Sequence, residues 1–105
     1  MAKEPVPSNL VLRLSAVCKR ADLTIQQLAT IVAIAERGGS ADFGELAKQL
    51  GAFKPTMTRY VDKAQELGFI RRSGVADDKR KVTLSLTTEG RKFLRSNLPA
   101  DLLTA

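Results

Sequence analysis

The chain has 105 residues, 44% of them hydrophobic, and a formal net charge of +6 at pH 7. This length supports one compact domain and is too short for two independent cores. The sequence contains no histidine and a single cysteine, which removes the commonest general base, the commonest zinc ligand and any internal disulfide. We therefore expect no enzyme, no metal and no cofactor. The basic excess favours an acidic partner, nucleic acid first and an anionic membrane surface second.

The sequence carries no sign of a membrane segment or a signal peptide. No window approaches the roughly 20 apolar residues that a membrane span requires, and the first eight residues lack the apolar stretch of a signal peptide. We therefore expect a cytoplasmic protein. The single cysteine suits a reducing compartment. Cys18 has helical spacing with Val11 and Leu14, which predicts a small buried hydrophobic side chain, with a redox role as the alternative.

Two helices are predicted before residue 40. Residues 1–7 form a loose arm, and Ser8 can cap the first helix. The second begins at Thr24, which with Gln27 matches the capping-box pattern. Two glycines at 38 and 39 end it, because glycine enters the left-handed region without penalty. Its apolar face is predicted to consist of Leu28, Ile31, Val32 and Ala35.

A third and a fourth helix are joined by a very short turn. Asp42 and Glu45 repeat the capping pattern at the start of the third helix. The fourth opens at Pro55, a residue suited to the first helical position. The turn between the two helices is only Gly51-Ala52-Phe53-Lys54. The buried stripes are predicted to be Phe43, Leu46, Ala47 and Leu50 on the third helix and Met57, Val61, Ala64 and Leu67 on the fourth.

After residue 68 the hydrophobic pattern takes the period of strands. Phe69 to Ser73 is a short candidate strand, and residues 82–86 alternate between apolar and polar side chains. The polar segment 74–81 between them predicts a hairpin with a long tip. Thr87 can cap a last helix, which Pro99 interrupts. The predicted fold class is mainly α with a small β-hairpin.

This order of elements indicates a winged helix-turn-helix domain. Two short helices joined by a glycine-containing turn are the helix-turn-helix signature, and the basic hairpin that follows is the wing. The second helix of such a motif enters the major groove with its N-terminal residues against base edges. In this sequence those residues are Lys54, Pro55, Thr56, Thr58 and Arg59.

The distribution of charge supports the same interpretation. Residues 54–81 hold eight basic and four acidic residues, so that +4 of the total +6 lies in about a quarter of the chain. An ordinary solvated face would explain a lone charged helix, but the coincidence of turn, exposed helix and basic hairpin favours a DNA-binding surface. We therefore add to the expected interface Lys63, Arg72, Lys79, Arg80 and Lys81.

Four segments of the chain, taken in order, resemble the MarR-type winged-helix regulators. They are LTIQQLATIVAIAERG (23–38), ELAKQLG (45–51), TMTRYVDKAQELGFIRR (56–72) and DDKRKVTLSLTTEG (77–90). The resemblance implies that Thr56, Thr58 and Arg59 face the major groove and that Arg80 enters the minor groove. It also implies that Asp78 holds the wing in shape. A narrow minor groove concentrates negative potential, which suits a guanidinium group.

The sequence departs from the family pattern at both ends. Only 22 residues precede Leu23 and only 15 follow Gly90, whereas typical members have long helices there that build a dimerisation domain. This puts the usual dimer interface in doubt and makes a small-molecule effector doubtful. Apolar residues at both ends nevertheless predict a homodimer through the chain termini, with a monomer as the alternative. They are Leu10, Val11, Leu12, Leu14, Val17 and Cys18 in the first helix, and Leu94, Leu98, Leu102 and Leu103 in the last segment.

We divide the chain into an arm and first helix with a possible dimer contact (1–22), a DNA-binding domain (23–90) and a C-terminal helix and tail (91–105). The expected function is sequence-specific binding of double-stranded DNA to regulate transcription, as a repressor rather than an activator. Helix 55–67 would read the major groove and the 74–81 wing the minor groove. The alternative is a winged-helix module that binds a regulatory protein instead of DNA. A role in the replication or maintenance of a mobile element is a third option.

Overall fold

The computed structural model describes residues 8–75 and 78–98. The elements in chain order are α1 (Ser8–Ala21), α2 (Ile25–Glu36), β1 (Ser40–Asp42), α3 (Phe43–Leu50), α4 (Lys54–Glu66), β2 (Ile70–Val75), β3 (Asp78–Leu86) and α5 (Thr88–Asn97). The predicted arm, the centre of the hairpin tip and the tail with Pro99, Leu102 and Leu103 lie outside the described residues. So do the side chains at positions 8, 9, 75 and 78–80, although their backbone belongs to α1, β2 and β3.

The predicted starts of α2 and α3 are confirmed by their capping hydrogen bonds, whereas α4 begins at Lys54, one residue before the predicted Pro55. At α2 the Thr24 hydroxyl accepts from the Gln27 N–H at 3.1 Å, and the Thr24 N–H donates to the Gln27 side chain at 2.8 Å. At α3 the Asp42 carboxylate accepts from the Glu45 N–H at 3.0 Å. Gly51 ends α3 in the left-handed conformation, with φ 67°, which turns the chain sharply into α4.

The centre of the molecule is α2, which packs against α1, α3, α4, α5 and the sheet. The predicted apolar face of α2 is therefore too narrow. Ala33 and Ile34 are buried together with Leu28 and Ile31, whereas Val32 and Ala35 are only partly covered. Thr30 is also fully buried, and its hydroxyl donates to the Gln26 carbonyl at 2.9 Å. A helix surrounded by neighbours buries more than one stripe.

The three strands form an antiparallel sheet in the order β1-β3-β2. The sequence did not predict β1, which pairs Ser40 with Ser85 and Asp42 with Thr83. The expectation of a long hairpin tip over 74–81 is wrong, because β2 continues to Val75 and β3 begins at Asp78. Backbone pairing, rather than side-chain alternation, extends the two strands through this polar segment.

The leucines in the C-terminal part of the described chain are buried in the core, whereas several of the apolar residues in α1 are exposed. Leu94 and Leu98 are 2% and 5% exposed, so the prediction that these two residues belong to an apolar surface is wrong. In α1, Val17 is buried and Cys18 is partly covered against the core. Val11 and Leu12 are exposed, as expected for a helix with apolar residues on more than one side.

Candidate nucleic-acid interface

The helix α4 presents one face to the core and the opposite face to solvent. Its inner face is fixed by Met57, Val61 and Ala64, all fully buried. The row opposite them, at helical spacing, begins with Pro55 and Arg59. Because the inner face is anchored so firmly, the orientation of the outer face is set by the core.

The outer face of α4 changes character along its length. The exposed side chains of its N-terminal half include Lys54, Pro55 and Arg59, and the hydroxyl-bearing Thr56 and Thr58 are partly exposed beside them. Asp62 and Glu66 follow in the C-terminal half and are also exposed. Among the described residues, Lys54 and Arg59 form no ion pair with another described side chain. The predicted groove-facing residues therefore lie together on the uncompensated cationic half.

Two cations of the expected interface are held by carboxylates. Arg72 on β2 donates from Nη2 to Asp62 Oδ1 on α4 at 2.5 Å. The Nε atom of Arg72 is buried and has no hydrogen-bond partner among the described residues. The pair joins the hairpin to α4 and neutralises one carboxylate on the outer face.

Lys63 makes the second such connection. Its Nζ lies 3.2 Å from Asp22 Oδ2 and 3.9 Å from Glu66 Oε1. Asp22 follows α1 and adopts a left-handed backbone with φ 59°, a conformation that aspartate tolerates better than most residues. Lys63 thus connects the end of α1 to α4.

The hairpin supplies the remaining expected contacts. Lys81 is exposed on β3, and Arg71, which was not among the expected contacts, is exposed on β2. The backbone of Asp78, Lys79 and Arg80 belongs to β3, but their side chains lie outside the described part of the structure. The roles predicted for these three side chains therefore stay predictions.

The base of the hairpin is closed by Thr87 and Gly90. The Thr87 hydroxyl donates to the Gly68 carbonyl at 2.6 Å and accepts from the Gly90 N–H at 3.0 Å. A Cβ atom on Gly90 would lie 2.2 Å from the carbonyl oxygen of Phe69. The motif L-x-L-T-x-x-G therefore packs α5 against the junction between α4 and β2.

The sequence places Phe53 in the turn before α4, but its exposure to solvent was not predicted. It occupies the N-cap position of α4 without a side-chain capping bond, and it is 85% exposed. The available signal was an aromatic residue where helices prefer serine, threonine, asparagine or aspartate. Asp62 and Asp22 were likewise missed as partners of the interface cations, because only the fold brings them close.

Two short helices joined by a tight turn, followed by a hairpin on a helical core, define a winged helix-turn-helix domain. The chain belongs to the MarR family, whose model matches residues 21–81. None of the helices in the described part of the chain has the length and hydrophobicity needed to cross a membrane.

Similar proteins and structures agree with this assignment. The chain is 32% identical over 84 residues to the HTH-type transcriptional regulator FarR of Neisseria gonorrhoeae, covering 80% of this chain and 57% of FarR. It is 42% identical over 55 residues to the HTH-type transcriptional repressor YetL of Bacillus subtilis, covering 52% of this chain and 33% of YetL. The S. aureus MepR–DNA complex matches with a TM-score of 0.74 and 22% identity, over 85% of this chain and 73% of MepR. The chain thus spans only about half, or less, of these two curated relatives.

Proposed function

We propose that the chain binds double-stranded DNA sequence-specifically and regulates transcription, acting as a repressor in the cytoplasm without catalytic activity. The helix at 55–67 reads the major groove and the wing at 74–81 enters the minor groove. Asp78 stabilises the wing. The proposed DNA contacts are Lys54, Pro55, Thr56, Thr58, Arg59, Lys63, Arg72, Lys79, Arg80 and Lys81.

The observation that carries this proposal is the division of charge on α4. On the acidic half of its outer face, the carboxylates of Asp62 and Glu66 pair with Arg72 and Lys63. Lys54 and Arg59, in contrast, form no ion pair with any described side chain. Unpaired cations at the N-terminal end of α4, the second helix of the helix-turn-helix, are placed to bind phosphates and base edges. FarR and YetL are named as transcriptional regulators, which supports the same function.

We also propose that the chain acts as a homodimer through α1. Val11 and Leu12 are exposed on this helix. Val11 also lines an open groove of about 600 Å³ together with Leu14, Cys18 and the exposed Ile25 of α2, among others. Apolar surface of this kind favours a second copy. A two-fold dimer would place two α4 helices about 34–36 Å apart, or a multiple of it, on a near-palindromic site.

The test is the salt dependence of binding to duplexes selected from a random library. If Lys54, Arg59, Lys79 and Arg80 each neutralise one phosphate, log K should fall against log salt with a slope of about −3.6 per chain, and about twice that for a dimer. Fluorescence anisotropy of a labelled duplex measures this slope.

A pair of variants with equal change of charge makes the test specific. Arg59→Gln should reduce the slope by about 0.9, whereas Lys92→Gln, on the exposed side of α5, should leave it unchanged. Binding that is absent at low salt, or insensitive to salt, would reject DNA as the partner and favour a protein partner.

A further inference from the structure

Phe53 is the most exposed of the large hydrophobic side chains that the structure describes. It directly precedes the first residue of α4 and makes no capping hydrogen bond. A polar residue at this position would satisfy a backbone N–H of the helix start, and a smaller one would leave less apolar surface in water. Phenylalanine at this position therefore adds no stability to the folded chain. Residues that break the local preferences for helix starts are expected at functional sites.

The surroundings of Phe53 indicate which kind of partner it meets. The next two residues, Lys54 and Pro55, are exposed, and Arg59 lies on the same half of α4. The centre of a protein–protein interface is depleted of charge, whereas this aromatic ring has cationic neighbours. Such a ring suits the major groove, where phosphates flank apolar groups on the base edges.

We propose that Phe53 recognises a thymine through contact with its 5-methyl group in the major groove, an inference that rests on the proposed DNA binding. Thymine is the one DNA base that carries a methyl group on the major-groove edge. Contact between this methyl and the exposed ring removes apolar surface of both partners from water. Lys54 and Arg59 fix the backbone and the register, and Phe53 adds a base preference that does not depend on charge.

The experiment replaces each thymine of a selected duplex by deoxyuridine, which lacks only the methyl group. At one position per bound α4, the replacement should weaken binding of the wild type about fourfold, the size expected for one buried methyl. Phe53→Ser should bind both duplexes equally at that position. Phe53→Leu, which keeps an apolar side chain, should retain part of the preference.

A second measurement separates recognition from folding. Serine can cap α4, so the Phe53→Ser chain should melt at or above the temperature of the wild type. If the wild type binds no duplex, the proposed function itself fails. If the wild type binds DNA but shows no uridine-sensitive position, or if Phe53→Ser keeps the same sensitivity, DNA binding stands and thymine recognition is overturned. Phe53 would then be assigned to a protein contact.

Discussion

Gly90 is required by its surroundings and not by its backbone conformation. It lies in α5, where glycine normally costs about 1 kcal/mol relative to alanine. Its missing side chain lets the helix approach the Phe69 carbonyl and Leu86, where a Cβ atom would lie 2.2 Å and 2.8 Å away. Close packing therefore outweighs helix propensity at this position.

We expect Gly90→Ala to lower the free energy of unfolding by about 1–3 kcal/mol, because the added methyl group displaces backbone in a packed region. Urea denaturation at equilibrium measures the change. Gly44→Ala in α3 is the matched control, since its new Cβ would meet only the Asp42 carboxylate, at 3.3 Å. That variant should stay within about 1 kcal/mol of the wild type. Equal stabilities of the two variants would contradict the packing argument.

Among the elements, the hairpin and α4 are joined by the Arg72–Asp62 pair. Both side chains are partly exposed, so the pair contributes no more than about 1 kcal/mol to stability. Its larger effect concerns charge, because an unpaired Asp62 would face the same side as the DNA-binding residues of α4.

We therefore expect Arg72→Gln to weaken DNA binding about fivefold, since an uncompensated carboxylate near phosphate costs on the order of 1 kcal/mol. The double variant Arg72→Gln with Asp62→Asn should recover only part of the lost affinity, because it removes the exposed carboxylate but not the need for the proposed Arg72 contact with DNA. Anisotropy titrations of the four chains measure the coupling. If the double variant recovers the full affinity of the wild type, Arg72 only neutralises Asp62 and makes no contact with DNA.

The sequence predicted the helices better than the sheet, for a physical reason. Helix starts are signalled by neighbouring residues, as the reciprocal bonds of Thr24 and Gln27 illustrate. The strand β1 has three residues and pairs with β3 more than forty positions away, so no local pattern marks it. The extension of β3 to Asp78 rests on backbone pairing with Val75, to which side-chain type contributes little.

The same distinction applies to the candidate interface. Lys54, Thr58 and Arg59 could be placed from the motif, because the core residues of α4 fix its outer face. The partners of Arg72 and Lys63 could not, since Asp62 and Asp22 meet them only after folding. The roles of the expected contact residues stay predictions until binding is measured.

At the scale of the whole molecule, the exposed apolar face of α1 has the main consequence. Leu12 is 67% exposed and Val11 is 51% exposed, which favours association through this helix. We expect Leu12→Glu to convert a dimer into a folded monomer that binds DNA more weakly. Light scattering with size-exclusion chromatography measures the mass, and circular dichroism reports whether the fold is kept.

Arg13→Gln changes the net charge by the same amount, at a neighbouring exposed position of α1, and should leave the dimer intact. Replacing Leu98 would be a poor test, because this side chain is buried in the core and its loss would unfold the chain. A wild-type protein that has the mass of a monomer at high concentration would contradict the dimer.

Asp42 belongs to two elements, because it is both the last residue of β1 and the N-cap of α3. Through β1 the helix-turn-helix shares backbone hydrogen bonds with β3, the long strand of the hairpin. The frame that orients α4 relative to the hairpin is therefore built from main chain and buried side chains. Substitutions on the N-terminal half of the outer face of α4 leave this frame untouched, and surface changes of this kind usually alter stability by less than about 0.5 kcal/mol. Related chains can thus evolve preferences for new DNA sequences without first acquiring compensating changes in the core.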